Sequence, residues 1–481
     1  MRNKSVQKIK RSVLLLLIII LSTLPLLMNC NKKKVNGKIQ IILISVDTLR
    51  GDHLSSYGYF RDTSPHLSKL VKDSVYYTNA YPNGCWTMPS HMSLLTGTFP
   101  SRHGIDKDWT SIKNKKYPKL NESIKNIAEV LKSYNINIKT LKFARLPNEL
   151  GFGRGYDKNY IIDSFHSNKL INKVLKELEN NKKENFFLFI HTWMVHAPYA
   201  NTYFLEKGKI GKKKRRFIGN FRKLGNKIEK TSSYFRSFLK KNNLFNVDFC
   251  MTLYDSGIHY VDQCIGIIIN KSKQLGIYDD LMFIVVSDHG EHFEEHFPNK
   301  FYDYHGKDFY EEFIKVPLII KYPHTFKGKM IDHHVSLIDV LPTILNYYKL
   351  KIPSFVQGES LLKPYLNKNR KYIVSEAISL PNLERKMIRV GHLKYIITMK
   401  EPFKPGRINW NSIIMRRLYD LKEDPLEQNN LYKDLKFRRI CIDFEKTLLK
   451  IINNSAKTNR SGKETKLDDE TLGQMEALGY L

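Results

Sequence analysis

Three short apolar runs constrain the fold of this chain more than any other feature. They cover residues 40–46, 186–190 and 281–286 and are rich in β-branched and aromatic side chains. Runs of this length and composition predict strands that are buried on both faces, as in a parallel sheet. A stretch with helical periodicity at 121–134 lies between the first two runs. This alternation predicts an α/β domain whose mostly parallel sheet carries helices on both faces.

Polar side chains follow each predicted strand at the point where it ends. Asp47 follows the first, the segment from His191 to His196 follows the second, and Asp288-His289 follows the third. Because ligands of such sheets bind beyond the carboxyl ends of the strands, we expect these side chains to share one site. An aspartate oxygen is a hard ligand for a divalent cation. Adding an imidazole suits zinc or manganese better than magnesium or calcium.

The segment from Cys85 to Gly97 predicts a short helix. Pro89 fits its first turn and Gly97 fits its stop, which places Thr87 at the amino-terminal end. The positive end of the helix dipole would favour a bound anion and an ionised hydroxyl there. The alternative interpretation is a threonine that only caps the helix.

The amino-terminal sequence predicts export. Five basic residues precede an apolar run at 13–28, which is short for a spanning helix and typical of a signal peptide. We therefore predict a signal peptide with a lipobox at 1–30, acylation of Cys30, a tether at 31–39, and a membrane-anchored protein of the cell envelope. The alternative is an uncleaved anchor, which also leaves the rest of the chain outside the cytoplasm.

Charge and composition predict how the rest of the chain is organised into domains and a basic insertion. The formal net charge is +32, and a Lys-Gly-rich stretch predicts a basic surface insertion at about 205–245. It would contact anionic lipid or a polyanionic substrate, or else be a solvated loop. Nucleic acid is not expected as a partner, because no recognition motif accompanies the charge. We expect a catalytic domain at 40–370 and a smaller α+β subdomain at 371–481.

The remaining cysteines show neither a zinc pattern nor a disulfide framework. They are Cys85, Cys250, Cys264 and Cys441. Buried thiols are expected, with a Cys250–Cys264 disulfide as the alternative. Asp255 and His259 have the spacing of a second metal site, but the segment is better explained as part of a helix.

The motifs resemble those of the sulfatase family in the alkaline phosphatase superfamily. Thr87-Met88-Pro89-Ser90-His91 and Leu95-Thr96-Gly97 are similar to the family's nucleophile motif, in which Cys or Ser is followed by any residue, Pro, Ser and Arg, and later by Leu-Thr-Gly. Further segments match the family in order, over roughly residue 40 to the end: 46–50, 153–157, 196–199, 288–291, 316–318, 339–343 and 418–425.

This resemblance implies a fold, a metal and roles for particular residues. The fold is alkaline-phosphatase-like, and the cofactor is one divalent cation (Mn, Mg, Ca or Zn). The implied metal ligands are Asp47, Thr48, Thr87, Asp288 and His289. The implied catalytic residues are Thr87, His196 and His305, and the implied substrate-binding residues are His91 and His191.

The nucleophile position departs from the family pattern. Family sulfatases convert its Cys or Ser to formylglycine, whereas Thr87 cannot be converted, so no formylglycine is expected. His91 stands where the motif has arginine. Threonine nucleophiles resemble those of phosphoesterases and phosphotransferases in the superfamily. We therefore expect a hydrolase or transferase of phosphate or sulfate esters, with phosphate esters favoured and a lipid or envelope glycan as substrate. The alternatives are a sulfatase that works without formylglycine and a silent envelope lipoprotein that binds polyanions.

Overall fold

The computed structural model describes most of the chain after the predicted tether. The described residues are 37–106, 116–161, 168–197, 199, 201–207, 241, 246–296, 307–325, 327–362, 372–379, 383–400, 410–456, 464–468 and 472. The predicted signal peptide, Cys30 and most of the predicted basic insertion lie outside them. Among the helices formed by the described residues, none is long and apolar enough to cross a bilayer.

A nine-stranded sheet forms the centre of the larger part of the molecule. Its strands, in chain order, are β1 Gln40–Val46, β2 Val75–Tyr81, β4 Ile138–Phe143, β5 Lys158–Tyr160, β6 Asn185–Thr192, β7 Met282–Ser287, β8 Val316–Lys321, β9 Lys329–Ile331 and β10 Val335–Ser336. The order across the sheet is β10-β2-β8-β7-β1-β6-β4-β5, with β9 beside β2. Strand β8 runs antiparallel to β2 and β7, and the other pairs are parallel. The predicted mostly parallel sheet is confirmed, and β1 has the predicted bounds.

Helices cover this sheet on both faces. In chain order the described α-helices are α1 Pro65–Leu70, α2 Thr87–Thr96, α3 Pro100–His103, α4 Ile127–Lys132, α5 Asn168–Asn181, α6 Tyr203–Lys207, α7 Val247–Gln274, α8 Glu311–Ile314, α9 Val340–Tyr347 and α10 Arg438–Ala456. On one face, Ile42 and Ile44 of β1 join a core with α1, α5 and α7. On the other face, Ser45 of β1 contacts His91 of α2. Every residue of β1 is buried as a result.

The helix predicted at 121–134 is much shorter in the structure. The Asn126 side chain caps α4 by accepting from the Ala128 and Glu129 backbone amides, and the Glu129 carboxylate accepts from the Asn126 backbone amide. This reciprocal capping fixes the start of the helix. The apolar residues spaced along 124–131 are therefore not all helical. Ile124 is buried, but it lies in a turn before the helix. The capping pattern Asn-x-x-Glu was the sequence signal for the true start.

The carboxyl-terminal part is a second, antiparallel sheet, which confirms the predicted α+β subdomain. Its strands, in order, are β11 Ile373–Ser379, β12 Leu383–Val390, β13 Leu393–Met399 and β14 Ile413–Asp420. Tyr395 and Leu418 of this sheet pack with Leu448 of α10 in a separate core. Strands β3 Lys116–Pro118 and β15 Glu464–Lys466 form a small additional pair. The boundary near residue 370 remains a prediction.

Helix α7 and the cysteines agree with the predictions made from the sequence. Asp255 and His259 lie within α7, and Asp255 bonds to His53 and Tyr59. His259 stacks on Tyr203, with 3.8 Å between ring centroids. The four described cysteines are buried free thiols, so the alternative Cys250–Cys264 disulfide is not formed.

Candidate active site

Three neighbouring parallel strands bring the predicted site residues to one edge of the sheet. Strand β1 lies between β6 and β7, and Val46 is level with Thr192 of β6 and Ser287 of β7. Asp47 and Asp288 each follow directly, so their side chains leave the sheet side by side. The convergence expected from the strand ends therefore has a geometric basis in the strand register.

Thr48 turns the chain sharply after Asp47. Its backbone adopts the left-handed conformation at φ 58°, which is costly for a β-branched residue. Tyr254 of α7 holds this turn, because its hydroxyl donates to the Thr48 oxygen (2.6 Å) and accepts from the Arg50 amide (2.8 Å). The Leu49 amide donates to the Ser287 hydroxyl at 2.9 Å. Tyr254 was not among the site residues predicted from the sequence.

Thr87 is the first residue of α2 and is fully buried. Its hydroxyl oxygen lies 3.3 Å from His289 Nε2. Gly97 ends α2 in the left-handed conformation (φ 65°), as the sequence predicted. Thr87 therefore combines a helix amino terminus with direct contact to the third strand end.

His289, Asp47 and Asp288 form a compact buried cluster. His289 Nε2 lies 3.3 Å from Asp47 Oδ1 and 3.5 Å from Asp288 Oδ2. His289 Nδ1 donates to the Gly290 backbone oxygen at 2.9 Å. In the neutral ring this bond leaves the lone pair on Nε2, directed towards the two carboxylates.

The electrostatics of the cluster favour an added positive charge. Burial would raise the pKa of Asp47, but hydrogen bonds with His191 and His289 hold that pKa well below its usual range. Burial and the neighbouring Asp47 raise the pKa of Asp288 to about 6. Burial would lower the pKa of His289, but Asp288 and Asp47 overcome it and raise the pKa to about 9. In the absence of a cation, a proton on His289 would neutralise part of the carboxylate charge.

These residues fit a divalent cation. Ligand atoms of Asp47, Asp288 and His289 all lie within 4.8 Å of one another. Within the described part of the chain, Asp288 Oδ2 and Thr48 Oγ1 are buried without a hydrogen-bond partner. Buried polar atoms are normally satisfied, so these two oxygens are available for an ion or a ligand. Two carboxylates and one imidazole are a usual ligand set for a divalent metal.

His91 packs against this cluster from α2. Its Nδ1 donates to the Thr87 backbone oxygen at 2.8 Å, and its Nε2 lies 2.9 Å from the Ser45 hydroxyl. Burial, with an electrostatic contribution from the neighbouring His191 ring, holds the pKa of His91 well below its usual range. His91 is therefore a neutral ring with both nitrogens engaged. This geometry makes it a support for Thr87 and leaves its predicted substrate contact untested.

His191 approaches Asp47 from β6. Its Nδ1 accepts from the Trp193 indole N–H at 3.0 Å, so Nε2 carries the proton. Nε2 lies 3.5 Å from Asp47 Oδ2. The indole thus fixes a tautomer in which His191 can donate to Asp47 or to a bound anion.

His196 lies in the turn after β6 and is buried. Its Nδ1 donates to the Ala197 backbone oxygen at 2.5 Å. An electrostatic interaction with His196 is among the causes of the lowered pKa of Asp47. The structure thus brings Asp47, Thr48, Thr87, His91, His191, Asp288 and His289 together, with His196 in the turn that follows His191. His305, the remaining predicted residue, lies outside the described residues.

Comparison with known proteins identifies the family. The profile described as Sulfatase matches residues 40–349, and that of the carboxyl-terminal region of N-sulphoglucosamine sulphohydrolase matches residues 295–454. An N-acetylglucosamine-6-O-sulfatase of Bacteroides thetaiotaomicron is 22% identical over 89% of this chain and 88% of its own length. Human arylsulfatase K is 30% identical over 42% of this chain and 37% of its own length.

Solved structures share the fold. One is a phosphonate monoester hydrolase of Agrobacterium radiobacter, with a TM-score of 0.65 and 17% identity over 89% of this chain and 97% of that one. Another, solved in complex with its substrate D-glucosamine-2-N,6-O-disulfate, has a TM-score of 0.63 and 17% identity over 89% of this chain and the whole of that one.

Fold and site together define an alkaline-phosphatase-like α/β protein with a candidate metal site at the strand ends. The chain belongs to the sulfatase family. It is a sulfatase-like hydrolase, and the family generally uses a divalent metal at its active site.

Proposed function

We propose that this protein hydrolyses a phosphate or sulfate ester, with a phosphate ester preferred, through covalent attack by the Thr87 hydroxyl. The observation that carries the proposal is the contact of Thr87 Oγ1 with His289 Nε2 at 3.3 Å, inside the buried cluster of Asp47 and Asp288. A hydroxyl at a helix amino terminus and beside a cation site is placed for nucleophilic attack. The same position suits transfer to an acceptor alcohol as well as hydrolysis.

Asp47, Asp288 and His289 would hold one divalent cation, with Thr87 as a further ligand and Thr48 in reach. Bound there, the cation would lower the pKa of the Thr87 hydroxyl and offset the charge of the ester. His289 contributes Nε2 because Nδ1 is committed to the Gly290 oxygen. His191 donates through Nε2 and so orients Asp47. His196, which donates through Nδ1, would need a second proton on Nε2 to protonate a leaving alcohol.

The preference for phosphate follows from the chemistry of threonine. Attack by Thr87 forms a Thr–O–P bond and breaks the P–O bond to the leaving alcohol. Water then attacks phosphorus and breaks its bond to Thr87 Oγ1, which regenerates the hydroxyl and releases phosphate from a monoester substrate or a phosphate monoester from a diester substrate. A formylglycine hydrate releases sulfate by elimination, and Thr87 cannot form that group. The shared fold of the phosphonate monoester hydrolase is compatible with phosphorus chemistry but establishes the fold alone.

A second candidate function is hydrolysis of a sulfate ester without formylglycine. It is favoured by the names of the relatives, which are an N-acetylglucosamine-6-O-sulfatase and ulvan-active sulfatases. If this chain shares their substrate class, its substrate is a sulfated sugar, and a basic protein of net charge +32 would attract such polyanions. The two candidates differ in the central atom of the ester and can be separated by assay.

The first prediction concerns Thr87. Thr87→Ala should reduce turnover by several orders of magnitude, because it removes the covalent nucleophile. Cys85→Ala should leave turnover nearly intact, since Cys85 is two positions too early and buried. Both variants are assayed on a nitrophenyl phosphodiester, the matching monoester and the matching sulfate, with Mn, Mg, Ca and Zn in turn.

Sulfate as the best substrate would favour the second candidate. A dead Cys85→Ala protein with an active Thr87→Ala protein would show that the nucleophile is wrongly placed. Lack of turnover on all three esters would favour a transferase without its acceptor or a silent polyanion-binding protein.

We further propose that the protein is exported and attached to the membrane of the cell envelope through acylated Cys30. The support is the apolar run at 13–28 that ends near this cysteine. Metabolic labelling with an alkyne fatty acid should tag the wild type and leave Cys30→Ser untagged. Equal labelling of the two proteins would rule out Cys30 as the attachment site.

A further inference from the structure

A second group of metal-ligating side chains lies outside the site described above. It consists of His292, Glu295 and His296 in the segment after β7, together with Glu312 of α8, and is called the second cluster below. Ligand atoms of His292, Glu295 and Glu312 all lie within 4.8 Å of one another. His292 is only three positions after His289, so the second cluster borders the active site without sharing a residue with it.

The distances from His292 to Glu295 and Glu312 are close to those between the ligands of one ion. His292 Nδ1 lies 3.2 Å from Glu295 Oε2 and 3.6 Å from Glu312 Oε1. His296 Nδ1 lies 2.7 Å from the same Glu312 oxygen. A tetrahedral zinc ion with ligands at about 2.0–2.1 Å has ligand–ligand distances of roughly 3.3 Å. Small outward movements of these atoms would open space for an ion.

Neighbouring side chains hold both imidazoles in place. The His292 ring stacks on Phe313 with centroids 5.6 Å apart, and the His296 ring stacks on Tyr310 at 3.6 Å. His292 and Glu312 are both buried. Rings fixed in this way keep their Nδ1 atoms directed at Glu312. Such support is characteristic of a preorganised ligand set.

Glu295 is held with one oxygen turned towards His292. Its Oε1 accepts from Arg50 Nη1 at 2.5 Å. Its Oε2 faces His292 and also accepts from the Phe293 amide at 2.6 Å. The pairing with Arg50 therefore leaves Oε2 as the oxygen that is directed into the second cluster.

An open cavity gives access to the second cluster. It has a volume of about 500 Å³ and is lined by Glu295, His296 and Glu312, among others. The carboxyl-terminal subdomain also lines the cavity, through Leu421 and residues 425–428. A small hydrated cation can reach the carboxylates through this cavity.

We propose that His292, Glu295 and Glu312 bind a second divalent transition-metal cation, for which zinc has the most suitable chemistry, with His296 as the ring that hydrogen-bonds to Glu312. One imidazole nitrogen and two carboxylate oxygens are a mixed ligand set that zinc accepts. The ion would join the segment after His289 to α8 and so position that segment. The alternative is a pair of imidazolium–carboxylate ion pairs that hold the same segments without a metal.

The test is to count metal ions in the purified full-length protein. After equilibrium dialysis against Zn²⁺, elemental analysis should find two equivalents in the wild type. It should find one in Glu312→Gln, one in Asp288→Asn and none in the double variant. Glu294→Gln is the matched control, because it removes an adjacent carboxylate in the same segment that is not among the proposed ligands, and it should retain two.

X-ray absorption spectroscopy at the zinc edge provides a check that does not require a variant of the second cluster. It is measured on Asp288→Asn, whose remaining zinc ion should be the one in the second cluster. The spectrum should show about four nitrogen and oxygen neighbours, with imidazole scattering. Glu295→Gln, at a partly exposed residue, is the second variant if Glu312→Gln fails to fold, and it too should lose one equivalent. Equal zinc content in the wild type and a folded cluster variant, or an equal loss in Glu294→Gln, would overturn the proposal. Retention of both ions by Asp288→Asn would contradict the active-site assignment and leave the second cluster standing.

Discussion

At the scale of single residues, Thr48 combines a strained backbone with an unsatisfied side chain. It adopts φ 58° and buries a hydroxyl without a hydrogen-bond partner among the described residues. Strain of this kind persists where the surroundings impose it, often at functional sites. Here Tyr254 and Ser287 impose it through hydrogen bonds to the Thr48–Leu49 backbone.

We predict opposite effects of Thr48→Val on stability and on activity. Valine keeps the shape and the branched Cβ but removes the unsatisfied hydroxyl. The free energy of unfolding of the metal-free protein should therefore rise by about 1 kcal/mol. If the hydroxyl binds the cation or the substrate, metal affinity or turnover should fall. Chemical denaturation and metal titration of the same protein measure the two effects.

Thr63→Val is the matched control for this substitution. Thr63 is also fully buried, but its hydroxyl donates to the His53 backbone oxygen at 2.6 Å. Its replacement should lower the free energy of unfolding by about 1 kcal/mol, because the His53 oxygen loses its donor. Destabilisation of equal size by both substitutions would show that the Thr48 hydroxyl is satisfied in solution.

The sequence could predict which side chains end the strands, but not what holds them. Asp47, Asp288 and His289 were found from strand ends, which are local signals. The position of Thr87 at a helix start is also a local signal, but its role was implied by the family resemblance, because that position equally fits a cap. Tyr254 stands 206 positions from Thr48, and no local pattern links the two. The bond from Trp193 that fixes the His191 tautomer also depends on side-chain placement, which periodicity does not specify.

At the scale of elements, the loop after β7 packs directly on α8 through Gly290. The Gly290 amide donates to the Phe313 oxygen at 2.7 Å, and a Cβ added at Gly290 would lie 1.9 Å from the Glu312 backbone oxygen. Glycine is required here because a side chain would not fit. The backbone of Gly290 does not itself require glycine, since its φ is not in the left-handed region. The loop carries His289, so its position sets that of the candidate metal site.

We predict that Gly290→Ala weakens metal binding and stability together. The added methyl group must push the loop away from α8, at a cost of roughly 1–3 kcal/mol in the free energy of unfolding. Metal affinity should fall at least tenfold, because His289 moves with the loop. Gly51→Ala is the control, since its Cβ would meet atoms no closer than 3.6 Å. Unchanged metal affinity in Gly290→Ala would show that the loop does not set the site.

Strands were predicted more accurately than short helices, for a physical reason. The β1 run is buried on both faces and bounded by polar residues, so its composition marks both ends. The six-residue helix α4 is defined by its cap at Asn126, and apolar residues before that cap belong to a turn. The antiparallel position of β8 between β2 and β7 could not be predicted. The residues of one strand do not specify which strands it pairs with or in which direction.

At the scale of the whole molecule, buried charges join the second sheet to α8. Glu311 accepts from Lys394 and Arg389 of the carboxyl-terminal sheet, each at 3.0 Å. Glu427 lies 2.6 Å from the same Lys394 nitrogen. Burial would raise the pKa of Glu311, but Lys394 and Arg389 lower it to about 2. Burial, opposed by Lys394 and reinforced by Glu311, raises the pKa of Glu427 to about 7.

These shifts predict opposite pH dependences for the two glutamates. Glu311 has a depressed pKa, so its contribution to stability is present above its unfolded pKa of about 4.3 and is lost as the pH falls towards 2. Glu427 has a raised pKa, so stability declines as the pH rises from about 4.3 to 7 and Glu427 loses its proton. Glu311→Gln should therefore destabilise the protein at pH 8, whereas Glu427→Gln should not.

Denaturation of both variants at several pH values provides the measurement. Glu427→Gln should also flatten the decline of stability between pH 5 and 7, because it removes the group that titrates there. Equal destabilisation by both substitutions at pH 8 would mean that ionised Glu427 stabilises the protein as much as ionised Glu311 does, contrary to the raised pKa of Glu427.

The four buried thiols of the described residues can report how fast each part of the molecule opens to solvent. Cys85 lies beside the active-site helix, Cys250 and Cys264 lie on α7, and Cys441 lies on α10 in the second core. Burial raises the pKa of Cys250 to about 12 and that of Cys441 to about 11, so a disulfide reagent meets almost no thiolate until the surrounding region opens. With Cys30 replaced by serine, the labelling rate of each thiol, read by mass spectrometry, would time the opening of its own region. The order of those rates would reveal whether the core that contains Cys441 opens before the core that contains Cys250 and Cys264.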